Sequence, residues 1–469
     1  MTSVERLPPG PSEHPVVQGF RFGSDPYGFL DTCAKRFGGA FTMRFPRDPP
    51  RVVVSDPAHV RQIFALKPDA YAAGALQVAV NLGSRSLLFL DGEDHRRDRQ
   101  LMMPSLHGDR LRSYARTMFD VTNLHLDRLA PGARVDMKAA FHDITFDVLT
   151  TCLFGGSEPR RAEVLRACLG EWISRVFRPE VFLGGMMIGP RKLRAILDDA
   201  TQKRGASSWK VLERAPWNVA GRAKGEAMRI LREEVEACQQ GRDGGRTDVL
   251  ATIAMAKYDD GSPIAVDHAV DELVTLLVGG HETTASSLAW ALCHLLQRPE
   301  VWTRLEQEIA AAFPDGRVDP TRASELKLLE ACINETMRLT PIAPAVNRNL
   351  TRSLTLGPWT IPAGGIVFPS TYVTHHRDDL WDEPRAFRPE RFLKGGGVPP
   401  DQFFPFGGGR RTCIGMAFAM FEMRIVLVAL LSRVKLRRES KAMLPKLNAL
   451  TTVPRECDAV VDAVRPRVA

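Results

Sequence analysis

Three consecutive glycines, two arginines and a cysteine stand directly ahead of an apolar helix in Phe403–Gly415, FFPFGGGRRTCIG. No other stretch of the chain constrains its fold and chemistry as tightly. Gly407, Gly408 and Gly409 permit φ > 0 and strip side chains from one side of a loop, so something flat or bulky can approach closely. A helix expected over Met416–Leu431 follows at once. Its N-terminal dipole, with Arg410 and Arg411 nearby, favours a thiolate at Cys413. Two readings of that thiol stay open: a buried cysteine beside an anion-holding turn, or a thiolate ligand to a metal.

The chain can build a large body around such a loop. With 469 residues, 44% of them hydrophobic and 25% charged, it has ordinary globular usage. That excludes a disordered tail, a collagen-like fibre and a disulfide-stapled mini-domain. The net charge, 63 − 55 = +8, suits an acidic protein partner, nucleic acid or an anionic membrane surface equally. Eight cysteines are scattered without a CxxC pair, which argues against a zinc module or disulfide framework and fits a reducing compartment. Met1–Phe20 has no apolar signal region and no arginine-rich presequence. The nearest approach to the ~18 apolar residues of a membrane span, Leu273–Leu296, carries His281 and Glu282 in its middle. The expected location is the cytoplasm.

The first ~40 residues, rich in Pro and Gly, read as extended, surface-following chain. Ala40–Phe45 and Arg51–Ser55 read as a hairpin-like strand pair, and Asp56-Pro57 caps a short helix through Phe64. Helical periodicity then dominates residues 92 to 340: Asp94–Leu101, His107–Leu129, Met137–Phe154, Arg160–Val176, Gly221–Gln239, Thr247–Lys257, Asp267–Gln297, Pro299–Ala312 and Ala323–Leu339. Short strands return at Leu354–Leu356, Trp359–Ile361 and Ile366–Ser370. The tail Lys435–Val464 reads as irregular with some strand. Pro179–Ala220 is the weakest-patterned region, of the kind that is functional or mobile in a compact domain. The expectation is one mainly α domain over residues 1–469, with a helical body (about 92–340 and 416–431) and a small β-rich part (about 40–56 and 354–392).

Three further segments carry chemistry. Gly279-Gly280-His281-Glu282-Thr283-Thr284 places a glycine pair inside a long helix, where each glycine costs roughly 1 kcal/mol against alanine. The pair either opens a groove for a ligand or permits a close helix crossing, and the Thr283 hydroxyl can compete for a carbonyl and widen the helix locally. Glu335 and Arg338 share one helix face, as an exposed pair or as part of something larger. His95 and Arg99, four apart in His95-Arg96-Arg97-Asp98-Arg99, project from one helix face, which by itself reads as a solvated basic face.

Phe406-x-x-Gly409-x-Arg411-x-Cys413-x-Gly415 resembles the haem-binding signature of the cytochrome P450 superfamily at all five fixed positions. The glycine–acid–threonine stretch, Glu335-x-x-Arg338 and Phe387-Arg388-Pro389-Glu390-Arg391-Phe392 follow in the order that family requires. The resemblance implies a helical prism with a small β-rich subdomain, and haem b held by Cys413 as axial ligand. By it, Arg411 pairs with a propionate, helped by His95, Arg99 and Arg348, while Pro405, Phe406, Gly407 and Gly415 border the porphyrin. Gly280 and Thr283 are cofactor-binding residues as well. Glu282 and Thr283 form the acid–alcohol pair that delivers protons to O2. Glu335, Arg338 and Arg391 make a buried structural network. Leu76, Leu87, Leu88, Leu277, Val346 and Thr451 fall where substrate walls lie, and Val78, Phe182, Met186 and Met187 are apolar nearby.

The activity so implied is a haem-thiolate monooxygenase, an oxidoreductase that inserts one atom of O2 into a hydrophobic, lipid- or terpenoid-like substrate. The chain ends soon after the cysteine loop, so electrons are expected from NAD(P)H through a separate ferredoxin or flavodoxin and its reductase. Arg96, Arg97, Arg99, Arg110, Arg112 and Arg116, with Arg410 and Arg424, offer a basic face for an acidic partner. No recognised nucleic-acid-binding fold accompanies that charge, and no membrane span is expected. The alternatives are a peroxide-driven peroxygenase or isomerase that needs no partner, and a haem-binding protein without turnover. An intact Glu282–Thr283 pair argues against both.

Overall fold

In a computed structural model, residues 6–72, 82–83, 85–176, 216–438, 442–448 and 451–467 are described. Backbone contacts group the chain into two compact units. One comprises Met1–Ala72, His107–Val148 and Gly280–Ala469, the other Ala73–Leu106 and Leu149–Gly279. Helix predominates in both, and the strands lie in small sheets. Among the described residues no helix is long and apolar enough to cross a membrane.

The larger unit carries a five-stranded sheet in the order Ala40–Met43, Arg51–Val54, Ile366–Pro369, Arg348–Leu350, Tyr71–Ala72. The first pair is the expected antiparallel hairpin, with Phe41 opposite Val53. Arg51–Val54 then runs parallel to Ile366–Pro369. Antiparallel pairing of Arg348 with Val367, and of Tyr71 with Leu350, fixes where the Arg348 guanidinium and Tyr71 ring emerge. A second hairpin, Pro445–Asn448 with Thr451–Pro454, sets Asn448 opposite Thr451 at its end. The tail read as irregular is therefore largely strand, including Val434–Arg437 and Asp458–Val464.

The N-terminal reading is overturned. Pro15–Ser24 and Pro26–Phe37 are helices, because each proline occupies the first turn, where its missing N–H costs nothing. Asp25 caps the second helix by accepting from the Gly28 N–H at 2.9 Å. Its apolar face is core: Tyr27, Phe29, Leu30 and Cys33 pack with Phe41, Trp290 and Tyr372, and the Tyr27 and Tyr372 rings stack 4.3 Å apart.

Elsewhere the helices match in place and differ at their ends. His107–Leu129 divides into Gly108–Ser113 and Ala115–Leu126, and Thr247–Lys257 contracts to Val249–Ala254 behind the Asp248 cap. Ala323–Leu339 becomes Lys327–Leu339, preceded by a 3-10 turn that Asp319 and Pro320 initiate. The long helix Val266–Leu296 runs unbroken through Gly279–Thr284, so the widening considered at Thr283 is not seen. In the smaller unit, Pro159–Val176 packs along Pro216–Gln239.

Candidate active site

The cysteine loop is shaped by what its glycines avoid. A Cβ on Gly408 would lie 2.2 Å from the Phe64 ring, and one on Gly409, whose φ is +67°, would lie 2.2 Å from the Phe64 carbonyl oxygen. Only glycine fits either place. The turn is closed by Gly407 N–H donating to Phe404 O and Cys413 N–H to Phe406 O, each at 2.9 Å. Its start is anchored where Phe404 N–H donates to His375 Nε2 at 3.1 Å. Burial, and then the charge of Arg338, lowers the pKa of His375 to about 3, so that nitrogen stays an acceptor. Cys413 is exposed, whereas the other seven cysteines are buried or half-buried. Gly415 then opens the apolar helix Met416–Arg433.

Beside the loop lies a buried cation. Arg348 donates to Asn347 O and Gly408 O, both at 2.8 Å, and its guanidinium lies over the Tyr71 and Phe64 rings. Among the described residues no carboxylate pairs with it. Burial, reinforced by the like charge of Arg411, pulls its pKa down to about 10. A buried cation held only by carbonyls and rings is a site for an anion. The combination of exposed thiol, glycine floor and buried arginine fits a flat, iron-containing ring that carries carboxylates. A cavity of about 970 Å³ runs along the same loop, bordered by Phe406, Gly407, Gly408, Arg61, Arg112 and Arg424. Pro405 also lines it, and Val346 stands 3.5 Å from where a Gly407 Cβ would be.

On the long helix, Glu282 is the centre of a polar cluster. Its Oε1 accepts from Asn448 Nδ2 at 2.8 Å and Thr451 Oγ1 at 3.2 Å. Its Oε2 lies 3.3 Å from His142 Nε2. The other nitrogen of His142 meets His281 Nε2 at 3.3 Å. Burial, and secondarily His142, depresses the pKa of His281 to about 3, which keeps that ring neutral. Ser286 and Ser287 hydroxyls bond the Glu282 and Thr283 carbonyls at 2.7 and 3.0 Å. Among the described residues, a Cβ on Gly279 would meet nothing within 4 Å.

The family profile described as Cytochrome P450 matches residues 8–458. The chain belongs to the cytochrome P450 family. Cytochrome P450 135B1 of Mycobacterium tuberculosis is 31% identical over 457 residues, covering 97% of this chain and 90% of the relative. Cytochrome P450 138 of the same organism is 30% identical over 443 residues, covering 94% and 92%. The retinoic acid bound cyanobacterial CYP120A1 has the same fold at a TM-score of 0.78 and 22% identity, over 98% of this chain and 100% of that one. The chain is thus a cytochrome P450 monooxygenase, an oxidoreductase of the haem-thiolate type that uses O2.

In this P450 Glu335, Arg338 and Arg391 are joined by hydrogen bonds. Arg338 is fully buried and grips both Glu335 oxygens through Nε and Nη2, at 2.7 and 2.8 Å. Arg391 Nε and the Arg388 N–H reach Glu335 Oε1 at 3.1 and 2.8 Å. The remaining Arg338 protons go to the His375, Pro384 and Ala386 carbonyls. Since His375 also anchors Phe404, the network braces the start of the cysteine loop.

The other expected residues fall as follows. His95 and Arg99 sit one turn apart on Gly92–Met102, the first buried and the second half-buried. Arg411 ends the short turn Gly409–Arg411. Leu87 and Leu277 are buried, Leu88 and Val346 half-buried. Leu76, Val78, Phe182, Met186 and Met187 lie outside the described residues. Thr451, expected at a substrate wall, is turned onto Glu282. His142 and Asn448 were missed, because neither stands in a motif and each meets Glu282 across more than a hundred residues of sequence.

Proposed function

We propose that this P450 oxygenates a bulky, apolar, lipid- or terpenoid-like substrate in the cytoplasm, with electrons passed singly from NAD(P)H through a reductase and an acidic ferredoxin or flavodoxin. The observation that carries the reading is the exposed Cys413 in a glycine turn beside the buried Arg348, which lacks a carboxylate partner among the described residues. Cys413 Sγ is the ligand for haem iron, and Arg348 and Arg411 hold its propionates. When bound, the haem supplies the activation of O2.

This chain's own residues manage protons and access. Asn448 and Thr451 fix Glu282 Oε1, which leaves Oε2 within reach of His142 Nε2. A proton held at His142 crosses to Glu282 Oε2, and the Thr283 hydroxyl passes it into the site. Neutral His281, whose Nε2 lies 3.2 Å from the His142 carbonyl oxygen and 3.3 Å from His142 Nδ1, orients that ring. Gly279, free of a side chain, leaves open space beside the long helix among the described residues.

For the electron donor, Arg61, Arg112 and Arg424 border the cavity along the cysteine loop. Arg424 is tied to Glu330, whereas Arg112 is largely exposed and pairs only loosely with Asp109 at 3.3 Å. Arg112 is thus the cation best placed to steer an acidic partner.

Turnover with a surrogate ferredoxin, its reductase and a panel of apolar ligands tests the reading. Thr283→Ala is expected to divert reducing equivalents into peroxide, and His142→Phe to slow product formation with substrate affinity unchanged. Arg112→Glu is expected to slow reduction and flatten its dependence on salt. Unchanged coupling in Thr283→Ala, or full rates with peroxide and no electron donor, overturns it.

A further inference from the structure

Far along the sequence from the cysteine loop, three titratable side chains converge in the smaller unit with no part in the chemistry above. Asp98 lies on Gly92–Met102; His268 and Glu272 lie one turn apart on Val266–Leu296. All are buried, with 1%, 4% and 0% of their surface exposed. His268 Nε2 is 2.9 Å from Asp98 Oδ2 and 3.7 Å from Glu272 Oε1, and the three atoms all lie within 4.8 Å of one another. Yet none of the three makes an aligned hydrogen bond. Buried polar atoms that face one another without bonding point to something missing between them.

The outward atoms of the same side chains are engaged. His268 Nδ1 meets Tyr258 Oη at 2.8 Å. With Nδ1 engaged there, an entering ion would displace the proton on Nε2, whose pKa, against the lowering effect of burial, Asp98 and Glu272 raise to about 9, and so free a lone pair toward the cluster. Glu272 Oε2 accepts from the Leu87 N–H at 3.2 Å, and Asp98 Oδ1 from Arg97 Nε at 3.4 Å. Arg97 in turn lies over the Tyr258 ring, 4.4 Å from its centroid. So an outer layer orients one nitrogen and two oxygens toward a common point. Ligand atoms about 2.0–2.1 Å from a tetrahedral zinc are about 3.3 Å apart, a spacing that the 2.9 and 3.7 Å separations bracket. A divalent ion would also neutralise two buried carboxylates, of which Asp98 has Arg97, itself partly in water, at 3.4 Å.

We propose that Asp98, His268 and Glu272 bind a divalent transition-metal ion, with one imidazole and two carboxylates as ligands and a fourth position for water. The ion ties the Ser86–Leu87 loop and the helix that carries His95 and Arg99 to the first turns of the long helix. The competing arrangement is a metal-free ion cluster in which His268 carries a proton between the two carboxylates.

The test uses haem-loaded protein incubated with zinc chloride, freed of unbound metal and analysed for zinc and iron separately. About one zinc per chain is expected in the wild type, and under about a tenth of that in Asp98→Asn and Glu272→Gln. Tyr258→Phe, which keeps all three ligands, is expected to weaken zinc about 10-fold, as loss of an orienting partner does. Zinc-edge absorption spectroscopy should find nitrogen and oxygen ligands only. Wild type without stoichiometric zinc, zinc retained by Glu272→Gln, or sulfur among the ligands overturns the proposal. Should the ligand variants fail to fold, the wild-type stoichiometry and edge spectrum, with Tyr258→Phe, decide it alone.

Discussion

Two buried charge clusters in this P450 contrast sharply. In Glu335–Arg338–Arg391, both Glu335 oxygens and every Arg338 nitrogen have aligned partners, and backbone carbonyls absorb the protons left over. In Asp98–His268–Glu272, the outward atoms are bonded and the inward ones are not. A buried charge is tolerated when its hydrogen bonds are complete, and removal of a partner then leaves an uncompensated ion. An incomplete cluster has less to lose and room for a ligand. The first cluster is a brace; the second has the form of a receptacle.

The largest expected effect is at the brace. Arg338→Met leaves Glu335 buried and stripped of its bidentate partner, and should cost on the order of 3–5 kcal/mol in urea unfolding. A loss under about 1 kcal/mol would erase the contrast, since that is the scale of an exposed pair.

A middle-sized effect follows from pH. The unfolded His375 imidazole gains a proton below about 6.5, whereas the folded one, buried beside Arg338, gains it only near about 3. Stability therefore falls as pH drops through that window, by about 2 kcal/mol per such histidine between pH 8 and 5. His281 and His294, also held to about 3 by burial, add in the same direction. His375→Gln should remove one share of the slope, and an unchanged slope would show that His375 is not held neutral against the brace.

The smallest effect is expected at the receptacle. In zinc-free protein, Glu272→Gln removes one of two crowded carboxylates and should change stability by no more than about 1 kcal/mol in either direction. A loss as large as that of Arg338→Met would mean that the second cluster is a completed brace as well.

Legibility in the sequence followed locality. The cysteine loop and its glycines could be read because neighbours in sequence are neighbours in the turn, and only glycine suits φ +67° at Gly409. The Glu335-x-x-Arg338 pair was legible for the same reason, and Arg391 only through the family resemblance. His142 and Asn448 could not be read, since they reach Glu282 through tertiary packing and a hairpin register. Asp98 stands among arginines in the sequence, and its burial against His268 has no local signal. The N-terminal helices were misread because prolines that start helices resemble prolines that prevent them.

The central claim is that Cys413 sulfur ligates haem iron, and the most direct measurement is the absorption spectrum of reduced, carbon-monoxide-treated protein beside Cys413→Ser. The account predicts the red-shifted Soret band of thiolate ligation in the wild type, and its loss in a variant that still retains haem. An identical band in both proteins, or a wild-type chain that takes up no haem, would contradict it.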